Sequence, residues 1–69
     1  MFNDQQIELF LKNLGLTFRW DKPLQGAKSI IVEEVVQYQP FTCWVTDLRT
    51  GEKIHSTNKF IDLCQQLTK

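Results

Sequence analysis

The chain has 69 residues, 42% hydrophobic and 23% charged, and its eight basic and eight acidic side chains cancel without forming any block of like charge longer than Glu33-Glu34. Such usage belongs to a folded globular domain rather than a disordered one, and the balance lacks both the basic footprint of a nucleic-acid binder and the acidic field of a DNA mimic. At this length residues 1–69 read as a single small α+β domain with a thin core, a size that favours further burial against a partner.

Asn3 to Leu14 carries three helix-start signals. Asn3 can cap, Gln6 can complete a capping box, and Phe2 and Ile7 occupy the positions of a hydrophobic staple. Ile7, Phe10, Leu11 and Leu14 share one face, while Glu8 and Lys12 stand four apart on the wet side. Gly15, in the left-handed conformation, would end the helix and fold Leu16 back on Leu11. Thr17 to Trp20 then reads as a short strand with Phe18 and Trp20 on one side. Asp21 to Lys28, with Pro23 and Gly26, reads as a loop that carries no glycine-rich phosphate-binding pattern.

Ser29 to Thr57 predicts three antiparallel strands joined by two tight turns. The run from Ile30 to Tyr38 is rich in β-branched and aromatic residues, and Gln39-Pro40 interrupts it because proline has no N–H for a ladder. Phe41, Cys43 and Val45 alternate with Thr42, Trp44 and Thr46, the period that sends neighbours to opposite faces. Asp47 to Glu52 then gives a hairpin, with Gly51 free to take a positive φ and the Asp47 carboxylate able to accept from nearby N–H groups. A loop of Leu48 to Gly51 sets Val45 opposite Ile54 and Trp44 opposite His55. Thr57 to Leu67 reads as a second helix, capped from among Ser56, Thr57 and Asn58, with Phe60, Leu63, Cys64 and Leu67 on its apolar face and Lys69 suited to its C-terminal end.

The expected architecture is α+β: helix, four-stranded antiparallel meander, helix (α-β-β-β-β-α), with both helices on one face of the sheet because each has one apolar stripe to bury. This outline parts from the double-stranded-RNA-binding domain, which has three strands and a lysine-rich entry to its last helix. STNKFIDLCQQL has a single lysine there, and no family is assigned.

Sites for chemistry are sparse. His55 is the sole histidine, and strand alternation puts it on the opposite face from Cys43, so no nucleophile and base converge. Glu33 and Glu34, adjacent in a strand, point to opposite faces, and Glu34 reads as an edge or bulge marker rather than a catalytic acid. Cys43 and Cys64 lack metal-ligand spacing and read as reduced, buried thiols. The reading is a non-enzyme with no cofactor and no metal. No apolar run is long enough to span a bilayer and the N-terminus has no leader pattern, so the expected location is cytoplasmic and away from membranes.

One anomaly points to a function. With Phe18, Trp20, Ile30, Val32, Val36, Phe41, Cys43, Val45 and Ile54 turned toward the helices, Ile31, Val35 and Trp44 face away, beside Arg19, Gln37, Thr42, Thr46, Lys53 and His55. Two short helices cannot cover both faces. The candidate interaction surface is therefore Arg19, Ile31, Val35, Trp44, Lys53 and His55. The expected function is a non-catalytic protein-protein interaction module, in the style of a phage or mobile-element accessory or regulatory protein, which pairs with itself as a homodimer or binds a larger target through this face. The alternative is a nucleic-acid-binding module using the same face, with Trp44 stacked on a base and Arg19 and Lys53 on phosphates, against which the zero net charge counts.

Overall fold

The structure is a computed structural model and describes residues 3–68, so the staple partner Phe2 and the terminal Lys69 lie outside the described residues. Helix α1 (Asp4–Leu14) begins as the sequence predicts: the Asn3 side chain accepts the Gln6 N–H at 2.8 Å, and the Gln6 side chain accepts the Asn3 N–H at 3.0 Å. It ends on Gly15 at φ 74°, where the N–H groups of Gly15 and Leu16 reach Lys12 O and Leu11 O, the paired bonds of a Schellman stop. Leu16 is thereby buried with Leu11.

Five strands follow, not four: β1 (Phe18–Asp21), β2 (Ser29–Val32), β3 (Val36–Gln39), β4 (Trp44–Asp47) and β5 (Lys53–His55), in one antiparallel meander of order β1-β2-β3-β4-β5. The additional strand arises because the Ile30–Tyr38 run folds on itself at Glu33-Glu34. Both glutamates adopt positive φ, 53° and 56°, and the Val35 N–H closes the turn on Val32 O at 2.9 Å. Two successive left-handed residues give the turn whose twist matches paired strands, but each costs a non-glycine residue about 1 to 2 kcal/mol. Local bonds offset part of that cost. The Glu33 carboxylate accepts from the Thr17 N–H at 2.6 Å and from the Thr17 hydroxyl, and the Arg19 Nε–H donates to Glu34 at 3.1 Å.

The next connection also differs from expectation. Pro40 to Cys43 form a turn closed by the Cys43 N–H on Gln39 O at 2.7 Å, with Cys43 at φ 62°, so β4 starts only at Trp44. Phe41 and Cys43 are turn residues rather than inward strand residues, and Phe41 is 89% exposed. The β4–β5 hairpin follows the predicted register, with Val45 opposite Ile54 and Trp44 opposite His55. Gly51 at φ 78° donates to Asp47 O at 2.7 Å, and the Asp47 carboxylate accepts the Arg49 N–H at 2.9 Å.

Cross-strand partners share a side of the sheet, so the register sorts its residues. One face carries two rows, Phe18–Val32–Val36–Asp47 and Trp20–Ile30–Tyr38–Val45–Ile54. Ile30, Val32, Val36, Tyr38 and Val45 from these rows form one buried cluster with Ile7 and Leu11 of α1 and with Phe60, Leu63 and Cys64 of helix α2 (Thr57–Gln66). Tyr38 stacks on Phe60 with ring centroids 4.2 Å apart, and its hydroxyl meets Thr57 Oγ1 at 2.9 Å. Ser56 caps α2 by accepting the Lys59 N–H at 3.2 Å. Phe10, Leu14 and Leu67 flank the cluster half-buried. Glu8 takes a different partner from the expected Lys12, accepting the Trp20 indole N–H at 2.7 Å. Among the described residues no helix is long and apolar enough to cross a membrane.

Candidate functional site

The opposite face of the sheet carries the row Arg19–Ile31–Gln37–Thr46–Lys53 and, beside it, Gln39–Trp44–His55. Five of the six surface residues read from the sequence therefore share this face. Val35 does not. The hairpin at Glu33-Glu34 lifts it out of any strand, and it sits half-buried against the core cluster, its carbonyl accepting the Leu48 N–H at 2.8 Å. Thr42, expected beside Trp44, belongs instead to the β3–β4 turn, where its hydroxyl donates to the Gln39 side chain at 2.9 Å.

The face is less apolar than its sequence suggests. Ile31 lies in register between Arg19 and Gln37 and is only 7% exposed, leaving Trp44, 41% exposed, as the large apolar group within reach of a partner. His55 meets Trp44 edge-on, ring centroids 5.0 Å apart at 68°, the edge-to-face arrangement that aromatic pairs favour. Trp44 forms one wall of a shallow depression of about 320 Å³ whose other walls are Gln37, Gln39, Thr46 and Lys53. The two amides are oriented by neighbours: Gln37 donates to Ser29 Oγ at 2.7 Å and Gln39 accepts from Thr42. Arg19 is committed to Glu34, so Lys53 supplies the positive charge beside the depression.

A second concavity was not legible in the sequence. Tyr38, Pro40, Phe41, Cys43, Thr57 and Ile61 border an open groove of about 980 Å³ where the β3–β4 turn meets the starts of the helices. It escaped notice because alternation assigned Phe41 and Cys43 to the inside of a strand; the signal that marks it is Pro40, whose interruption extends four residues rather than two.

Cys43 lies beside the Tyr38 phenol, and the ionised pairs Arg19–Glu34 and Arg49–Asp47 stand on the surface. Cys43 borders the groove half-buried, whereas His55 is exposed beside Trp44; Cys64 is fully buried, and the two thiols are unbridged. Burial pushes the Cys64 thiol up to about 12 and raises the Tyr38 phenol despite its bond to Thr57. The Thr17 hydroxyl and N–H hold the Glu33 carboxyl below its ordinary value, and the Arg49 N–H and guanidinium do the same for Asp47. Among the described residues no group of three or more histidine, cysteine, aspartate or glutamate side chains is placed to hold a metal ion.

Comparison with protein-family models, with curated proteins and with solved structures finds no match to this chain.

Proposed function

We propose that the protein is a non-catalytic interaction module whose two helices cover one face of the sheet and whose other face, centred on Trp44, binds a protein target. The shared core cluster of α1, α2 and one set of cross-strand rows supports the first part. The observation that carries the second is the Trp44 depression: an indole met edge-on by His55, two oriented glutamine amides and Lys53, all outside the main core cluster. Buried aromatics with a polar surround are the usual carriers of interface energy. This combination fits a target that offers an apolar group to the indole, an amide or backbone group to Gln37 and Gln39, and a carboxylate to Lys53.

The test compares wild type with Trp44→Ala, both verified as folded by circular dichroism, in capture of targets identified by mass spectrometry and then titrated. Trp44 takes no part in the core, so the variant keeps its fold while its affinity for the captured protein falls by upwards of about 2 kcal/mol, some thirtyfold. Equal affinity of the two proteins refutes the surface. Retention on single-stranded nucleic acid that falls steeply with salt and depends on Trp44 would replace the protein target with a strand.

A further inference from the structure

Phe41 is 89% exposed at the border of an apolar groove in its own molecule, so a projecting ring and a recess lie side by side on one surface. We infer that this groove receives the Phe41 ring of a second copy, each copy seating its ring against Pro40 and Ile61 of the other across a two-fold axis. An isologous contact demands a self-complementary patch, in which one residue meets another and the second meets the first, and a knob beside its own hole meets that demand.

Charge and size favour a second copy over another occupant. Near a two-fold axis each side chain approaches its own counterpart, so formal charges there repel; the groove is bordered by Gln6, Thr57 and apolar or aromatic groups, with no aspartate, glutamate, lysine, arginine or histidine among the described residues. The outer face meets that requirement less well, because the Lys53 cation stands beside Trp44. A cavity of about 150 Å³ already holds a benzene ring, so a groove of about 980 Å³ admits a phenyl group together with part of the turn that carries it. Each ring removes roughly 150 to 250 Å² from water, and with the walls it covers the pair removes about 600 to 1,000 Å² in all, below the ~1,200 Å² at which stable interfaces begin. The dimer is therefore a weak, transient one.

Sedimentation equilibrium on wild type, Phe41→Ala, Leu24→Ala and Trp44→Ala, from about 10 µM to about 1 mM, the range in which weak association is read, tests the inference. Leu24 is fully exposed on the β1–β2 loop and takes no part in the groove, so it controls for indiscriminate adhesion. Wild type, Leu24→Ala and Trp44→Ala should rise from monomer toward twice the monomer mass, while Phe41→Ala stays at the monomer mass. Labelling of Cys43, which borders the groove, should slow several-fold with concentration in wild type and not in Phe41→Ala. A wild type that is monomeric throughout overturns the inference, whatever else the groove then binds. So does association that survives Phe41→Ala or is lost equally in Leu24→Ala. Loss in Trp44→Ala alone would move self-association to the outer face, leaving the target-binding proposal to its own test.

Discussion

Cys43 and Cys64 are both free thiols, but they differ in chemistry because they differ in burial. Cys64 is 0% exposed with its thiol pushed to about 12 by desolvation, so at pH 8 it has almost no thiolate to react. Cys43 is half-buried at the border of an open groove. Native protein at pH 8 should therefore take up one thiol reagent per chain, at Cys43, and a second only in denaturant; two rapid additions to native protein would contradict the burial of Cys64. Asp47 gives the corresponding acid-side expectation. Its folded pKa lies below the ordinary 3.8, first because the Arg49 N–H donates to the carboxylate and then because of the Arg49 guanidinium. A lowered carboxyl contributes stability that is present above its unfolded pKa and is lost as pH falls through the folded one. Asp47→Asn should accordingly be less stable than wild type at neutral pH, with the gap closing below about pH 4 in urea titrations. A gap constant with pH would remove the charge from this account of the turn.

Elements with strong local chemistry were legible from the residues alone. The capping box of Asn3 and Gln6, the stop at Gly15 and the Asp47–Gly51 hairpin stand where the sequence puts them, and Ser56 is the cap among the three candidates it left open, because each is fixed by hydrogen bonds or φ preferences within a few residues. The turn at Glu33-Glu34 was not legible, since glutamate is no turn signal and its left-handed backbone is supported by Thr17 and Arg19, sixteen and fifteen residues away. That single turn creates the fifth strand and takes Val35 off the candidate surface. Positive φ at Cys43 had no sequence signal either, and with it the groove stayed hidden. The helix packing offers a direct check: Leu11 is 0% exposed within the core cluster, so Leu11→Ala should cost about 2 to 5 kcal/mol by chemical denaturation. A loss under about half a kcal/mol, the range of surface changes, would mean that α1 presents another side to the core.

At the scale of the whole molecule, the core cluster accounts for the sheet face that carries Ile30, Val36 and Tyr38, and leaves two surfaces with different character. The Trp44 face combines an indole with amides and a cation, the polarity on which the target-binding proposal rests; the Phe41 groove has no formally charged side chain among the described residues, the feature on which the self-association proposal rests. The proposed self-contact and the proposed target contact lie on separate surfaces, so single substitutions can test each without the other. The most direct test of the Trp44 face is site-specific photo-crosslinking in the source cells, with a benzophenone side chain placed at Thr46, which borders the depression and leaves Trp44 intact, or, as a control, at Leu9, which is 60% exposed on α1. The account expects a discrete crosslinked protein from position 46, lost when Trp44→Ala is added, and none from position 9. The same product from both positions, or a product from position 46 that survives Trp44→Ala, would contradict it.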